Sequence, residues 1–222
     1  MKTSAHTRLT FAAVVTSTAL LLAGCGDDTP SSSAGEVTTT HTEAAPSETT
    51  PPEPAAVPLT DHVVGALPGF DADGVASLMD LQTFAREHEK TVKELRDSGM
   101  LEAASLSFEP SRGEGFAMSI AASYATAEQA GAEAERLFAA NSEPDPGTAI
   151  TSLELDGIPG GHAIKMTGKQ GGLQFTGTEV VFVDGAVMHE IFAFAEDPLL
   201  SVEDVLAAAT AVYEEVVGHP VG

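Results

Sequence analysis

A break in composition at residue 58 decides which part of this 222-residue chain can fold. Residues 26–58 contain no Lys, Arg or aromatic residue, and 17 of these 33 positions are Ser, Thr or Pro. Such a segment buries too little apolar surface to offset the conformational entropy lost on folding. The sequence therefore predicts a disordered linker over residues 25–58 and a single folded domain over residues 59–222.

The first 24 residues have the organisation of a secretory signal peptide. Lys2 and Arg8 precede an uncharged, mostly apolar run that reaches Gly24, and small residues close it. A basic start, a short apolar stretch and small residues before a cleavage site are typical of such a signal. The run is also near the lower limit of about 17 residues for a membrane-spanning helix, and Thr and Ser dilute it. We therefore predict that residues 1–24 are removed on export.

The tetrad Leu22-Ala23-Gly24-Cys25 resembles the lipobox of bacterial lipoproteins. The resemblance implies cleavage between Gly24 and Cys25 and transfer of a diacylglyceryl group to the Cys25 sulfur. Two acyl chains anchor a protein stably, whereas one holds it only marginally. The alternative is an ordinary signal peptide, which would leave the only cysteine of the chain exposed and without a disulfide partner. We therefore predict a lipoprotein on the extracytoplasmic face of the cell membrane.

The charge of the predicted mature chain excludes two classes of partner. All 33 acidic residues follow Cys25, and removal of Lys2 and Arg8 leaves eight basic residues, so the net charge is −25. Nucleic acid and anionic lipid headgroups are both bound through clustered Lys and Arg, so we expect neither as an electrostatic partner. Self-repulsion between copies favours a monomer. Contact with the membrane is therefore predicted to depend on the lipid at Cys25.

Apolar periodicity predicts three helices in the folded domain. They are expected over residues 81–98, from a Thr126 cap to about residue 140, and over residues 201–216. The first helix carries four of the eight basic residues of the mature chain, interleaved with acidic ones. This interleaving favours a solvated, salt-bridged surface over a docking stripe for an acidic ligand. The four basic residues are Arg86, Lys90, Lys93 and Arg96.

Alternating apolar residues predict two hairpins, one turning at 111–113 and one at Asp184-Gly185. The Gly/Pro turn at 157–162 is expected to join two further strands. We predict an α+β domain with an antiparallel sheet of about five or six strands and helices packed on one face. Because each hairpin is followed by a capped, Ala-rich helix, the order also suggests a duplicated ββα unit.

Few stretches of the sequence have a pattern that carries chemistry. Residues 71–74 (DADG) begin like a calcium loop but lack the later ligands, so an ordinary loop is expected. His189-Glu190 begins like a zinc-protease motif, but Ala193 stands in place of the second His and the segment has a strand pattern. The turn at 157–162 offers backbone N–H groups to an anion, but no helix follows to strengthen such a site.

The histidines of the domain are widely scattered, and two of them could converge with carboxylates to bind a metal. Burial against apolar neighbours is the stronger interpretation for His88 and His189, which fall on the predicted inner faces of a helix and a strand. We therefore predict no catalytic residue, no metal site and no cofactor. The five domain histidines are His62, His88, His162, His189 and His219.

The run from Gly157 to Val217 resembles uncharacterised lipoproteins of actinobacteria through its Ile-Pro-Gly turn, its Val-x-Phe-x-x-Gly strand and its Ala-rich helix. The resemblance implies no activity. Together with the anchor and the spacer, the lack of a catalytic motif predicts a non-enzymatic binding or accessory module. Two alternatives stay open, namely a carrier that encloses an apolar ligand or lipid, and a small hydrolase of cell-wall material.

Overall fold

Eight strands form one antiparallel sheet, and helices cover both of its faces. The predicted signal peptide, the cleavage site at Gly24 and Cys25, and the linker through residue 55 lie outside the described residues and stay predictions. This computed structural model describes residues 56–88, 90–170, 172–219 and 221.

The strands follow the chain order β1 (Phe70–Ala72), β2 (Ser77–Met79), β3 (Met100–Pro110), β4 (Gly115–Tyr124), β5 (Ala149–Leu153), β6 (His162–Gln170), β7 (Leu173–Asp184) and β8 (Val187–Glu196). The helices are a 3₁₀ helix (Leu59–His62), α1 (Leu81–Glu87), α2 (Val92–Asp97), α3 (Ala127–Asn141) and α4 (Val202–Val216). The sheet has the spatial order β1-β3-β4-β8-β7-β6-β5, and β2 pairs with β3 beside β1.

An antiparallel α+β domain is confirmed, but the sheet is larger than predicted. The six longer strands are those that the alternating pattern indicated, and every pair of neighbours is antiparallel. The additional strands β1 and β2 have three residues each; β1 pairs with the C-terminal end of β3 and β2 with its middle. Three residues are too few to show an alternating pattern, so for residues 59 to about 80 the sequence predicts only short turns of helix or strand.

The prediction that all helices pack on one face of the sheet is wrong. Side chains alternate between the faces of a strand, and we name the faces by β7: face A carries Val180 and Phe182, and face B carries Val181. The 3₁₀ helix and α4 pack on face A. Helices α1, α2 and α3 pack on face B. The unbroken apolar run in β7 is typical of a strand buried on both sides, but a helix pattern alone does not say which face it covers.

The two ββα units do not have the symmetry of a duplication. The hairpins β3–β4 and β7–β8 adjoin through antiparallel β4 and β8. Two hairpins placed in this way superpose only by rotation about an axis normal to the sheet, which keeps each helix on the same face. Here α3 lies on face B and α4 on face A. The repeated order of elements is therefore not a symmetric pair in the structure.

The predicted helix over residues 81–98 is two short helices. Helix α1 ends at Glu87, and α2 begins after Thr91, whose side chain accepts a hydrogen bond from the Glu94 N–H while the Glu94 side chain accepts from the Thr91 N–H. This reciprocal capping box satisfies donors at the start of a helix and favours a new beginning there. The apolar spacing continues across the break because both helices present their inner residues to face B.

The other local predictions are confirmed. Thr126 caps α3 through the Gln129 N–H, and Ser201 caps α4 through the Asp204 N–H. The turn between β7 and β8 contains Gly185 with a positive φ of 56°, a conformation that glycine adopts without strain. Within the part of the chain that the structure describes, every helix is too short or too polar to span a bilayer.

Candidate functional site

The motifs considered in the sequence fall on ordinary structural elements. Asp71 lies in the edge strand β1, and the Asp73 N–H donates to the Ser107 carbonyl. In the turn at 157–162 the Gly161 N–H donates to the Ile158 carbonyl, so this amide is not available to an anion. Among the residues that the structure describes, no group of three or more His, Cys, Asp or Glu side chains is arranged to hold a metal ion.

The basic residues of the first predicted helix are dispersed. Lys90 pairs with Glu133 of α3 at 3.0 Å, and Lys93 pairs with Asp97 one turn along α2. Arg96 lines an open groove of about 550 Å³ between β2, β3 and the two short helices. Leu78 and Leu101 also line this groove and are each 58% exposed. The solvated, salt-bridged surface that the sequence favoured is confirmed for Lys93, whereas Lys90 pairs with a buried carboxylate of α3.

Two of the scattered histidines converge on face A. His62 ends the 3₁₀ helix and His189 lies in the middle of β8, and each is 1% exposed. The His189 Nδ1–H donates to the His62 carbonyl over 3.0 Å, and the His189 ring stacks on Phe182 with 4.3 Å between the ring centroids. Both ring nitrogens of His62 and the Nε2 of His189 have no hydrogen-bond partner in the structure.

Burial favours the neutral form of both histidines. It lowers the pKa of His189 to about 3, and the neighbouring His62 adds to this effect. Burial also lowers the pKa of His62, although the charges of Asp184 and Asp61 oppose it, and His219 lowers it further. The pair therefore fastens the 3₁₀ helix to the sheet by packing and one hydrogen bond.

Two carboxyl groups lie on face B near α3, Glu179 fully buried and Glu190 partly buried. Glu179 of β7 is 1% exposed; its Oε1 accepts a 2.8 Å hydrogen bond from Asn141 of α3, and its Oε2 has no partner in the structure. Burial, reinforced by the neighbouring Glu190 charge, raises the pKa of Glu179 to about 8. Burial raises the pKa of Glu190 to about 7, an effect that Lys90 opposes and Glu133 supports.

A third buried carboxylate on this face behaves oppositely because it has charged partners. Burial alone would raise the pKa of Glu133, but hydrogen bonds from Arg136 and Lys90 lower it below its ordinary value. The Arg136 guanidinium contacts both Glu133 oxygens, at 2.6 and 2.8 Å. Glu133 is therefore a charged anchor between α3 and the α1–α2 connection, whereas Glu179 is neutral at pH 7.

The part of face B that α3 leaves uncovered is rich in aromatic and Met side chains. The Phe175 and Phe194 rings stack with 4.8 Å between their centroids. The centroid of the Phe116 ring lies 5.2 Å from that of Phe192 and 6.3 Å from that of Phe194. Phe116 is 37% exposed, although the alternating pattern of β4 is that of a core-facing strand. We name this surface the aromatic patch; it consists of Phe116, Met118, Met166, Phe175, Phe192 and Phe194.

Gly177 lies at the centre of the aromatic patch and allows its side chains to meet. It is paired with Phe194 on one side and with Met166 on the other. A Cβ atom at this position would lie 3.2 Å from the Phe194 Cδ2 and 3.3 Å from the Met166 Cε. Without a side chain here, the Phe194 ring and the Met166 methyl group close over the β7 backbone. No glycine or aromatic motif in the sequence indicated the aromatic patch, because its side chains come from four strands.

Comparisons with known proteins give little to set beside this geometry. No protein-family model matches the chain. A search of curated proteins likewise gives no match. Among solved structures, the fold is similar to the extracellular domain of PknH from Mycobacterium tuberculosis, with a TM-score of 0.44 and 9% identity over 66% of this chain and 86% of that one. A likeness at this level carries no argument about function.

Proposed function

We propose that the mature protein is a lipid-anchored, extracytoplasmic binding module and that the aromatic patch is the surface that meets its partner. The single observation that supports this role is the contrast within the sheet. Helices pack on both faces, but beside α3 the Phe and Met side chains of face B are partly exposed, with Phe116 at 37% and Phe175 buried at 4%. Exposed apolar surface of this kind typically marks an interaction site, and Met-rich surfaces adapt to varied apolar partners.

The described residues favour this role over the two alternatives. A carrier needs an enclosed apolar chamber, whereas the two best-formed concavities of the described chain are the 550 Å³ groove and a 280 Å³ groove beside Pro198, both open to solvent. A hydrolase with paired carboxyl groups needs them to reach its substrate, and Glu179 is 1% exposed. A surface that binds without chemistry requires neither feature.

The anchor is tested by metabolic labelling with radioactive palmitate. Because Cys25 is the only cysteine of the chain, we expect the Cys25→Ala variant to carry no label and to leave the membrane fraction. A Ser47→Ala substitution in the predicted linker is the matched control and should keep both. Equal label in the wild type and the Cys25→Ala variant would show that the lipid is attached elsewhere or absent.

The binding surface is tested with Nile red, a neutral dye that brightens in apolar surroundings. We expect dye emission to rise with the wild-type domain and to fall by more than half for Phe116→Ser. Leu101→Ser is the control, because Leu101 is more exposed than Phe116 but lies outside the aromatic patch. Urea denaturation confirms that both variants fold. An equal loss of emission in the two variants would contradict the assignment of the patch.

A further inference from the structure

Carboxylates line one end and one side of the aromatic patch. Asp71 of β1 pairs with Glu109 of β3, and both are exposed on face B. Because Phe108 pairs with Ala117, the next position brings Glu109 opposite Phe116, at the end of the patch. Glu196 of β8 pairs with Phe175 of β7, at the side of the patch next to the β3–β4 turn. The Glu196 N–H donates to the Glu114 carbonyl. The acidic residues are therefore next to the phenyl rings in the sheet register.

Basic residues are scarce around the same surface. Residues 170–222, which supply β7 and β8, contain no Lys or Arg. Lys165 and Lys169 of β6 alternate with Met166 and so belong to face A. Arg112, in the turn between β3 and β4, lines the 280 Å³ groove together with Glu196 and is the described base beside this side of the patch. An apolar surface edged by carboxylates on a protein of net charge −25 selects a cationic partner by charge complementarity.

From this arrangement we propose that the aromatic patch binds a short protein segment in which apolar side chains adjoin Lys or Arg. This inference rests on the proposed function and names its partner class. The patch spans the four strands from β4 to β6, which corresponds to about 14 Å across the sheet, or roughly four residues of an extended segment. The apolar residues lie over Phe116, Phe192 and Phe194, and the basic residue reaches the Glu109 end.

Two other occupants fit the surface less well. A second copy of this chain would bring its own carboxylates against Glu109 and Glu196, and like charges in an interface cost affinity. An anionic lipid surface would be repelled by the same residues and by the net charge. A basic and apolar segment gains from both parts of the surface, because its side chains bury the phenyl rings while its charge meets the acids.

The test uses three labelled peptides that share one apolar core, Leu-Phe-Leu-Phe, and differ in flanking pairs of Lys, Gln or Glu. Their dissociation constants are measured by fluorescence anisotropy against the whole mature domain. The D71N/E109Q/E196Q variant is compared with E203Q/E214Q/E215Q, which removes three exposed acids from α4 and changes the net charge equally. We expect the first variant to weaken the Lys peptide about tenfold and the second less than about twofold, since exposed charge pairs contribute roughly 0.2–1 kcal/mol each.

The outcomes separate this inference from the proposed function. Tightest binding of the Lys peptide, lost in Phe116→Ser and weakened by added salt, supports both. Equal binding of the Lys and Gln peptides, with loss of both in Phe116→Ser, overturns the cationic partner and keeps the binding surface. Binding of all three peptides that Phe116→Ser leaves unchanged overturns both. A shift of the domain alone to a dimer, abolished by Phe116→Ser, would identify a second copy as the occupant instead.

Discussion

The two faces of the sheet differ in the ionisable groups that they bury. On face A the 3₁₀ helix and α4 enclose a pair of neutral bases, His62 and His189, and leave no aromatic surface open. On face B, α3 lies near a pair of carboxyl groups, Glu179 and Glu190, and stops short of the aromatic patch. Face A packs against the 3₁₀ helix at the start of the domain, and face B carries the proposed binding surface.

This contrast sets the pH range in which the domain is most stable. The lowered pKa of His189 contributes stability above the unfolded value of about 6.5 that is lost as pH falls toward 3. The lowered pKa of His62 acts in the same direction. Groups with a raised pKa, Glu179 and Glu190, contribute stability below the unfolded value of 4.5 that is lost as pH rises toward 7–8. The two effects oppose each other between about pH 4.5 and 6.5, so stability is expected to be greatest there.

The largest difference between the faces should come from one substitution made on each. Phe182→Ala on face A removes a ring that is 1% exposed and packs against His189 and Tyr213, and it should cost about 3–5 kcal/mol of unfolding free energy. Phe116→Ala in the aromatic patch should cost about 1 kcal/mol, because that ring is already partly in water. Urea denaturation at pH 6 measures both values, and equal losses would mean that the patch is as closed as face A.

Glu179→Gln should reduce the pH dependence of the unfolding free energy that comes from face B. The variant keeps the shape of the side chain but has no charge to bury, so its advantage over the wild type grows as pH rises. We expect its advantage over the wild type to be about 3 kcal/mol larger at pH 8.5 than at pH 5.5, because most of this interval lies below the folded pKa of about 8 and each pH unit there corresponds to about 1.4 kcal/mol. Urea denaturation at the two pH values gives the difference. A constant difference would show that Glu179 does not titrate in this range.

His189→Gln should produce the mirror effect on face A. The loss of ring stacking on Phe182 lowers stability at pH 7 by about 1–2 kcal/mol. Below pH 6.5, however, the variant should lose stability less steeply than the wild type, by up to about 1.4 kcal/mol per pH unit. Glu179→Gln serves as the control, because it should change only the alkaline limb. An unchanged acid limb in His189→Gln would assign the acid sensitivity to other groups.

The sequence predicts the local features of both faces but not how they are assembled. Thr126, Ser201 and the Asp184-Gly185 turn each act through neighbours within a few residues, so their patterns could be identified directly. The break at Thr91 was missed because apolar spacing continues across it. The face that each helix covers, and the meeting of Glu179 with Asn141 or Phe116 with Phe194, depend on strands far apart in sequence. No spacing within one segment contains that information.

The smallest expected effect tests the hydrogen bond that joins α3 to the buried carboxyl pair. The Asn141 side chain donates to the Glu179 Oε1 and thereby opposes the rise in the pKa of Glu179. Asn141→Ala should therefore raise this pKa further and cost about 1 kcal/mol of stability. A titration of the glutamate side-chain carbons by NMR measures the pKa, and Ser142→Ala, next to the same helix end, is the control. An unchanged or lower pKa would mean that the hydrogen bond from Asn141 does not lower the pKa of Glu179 and that burial sets it.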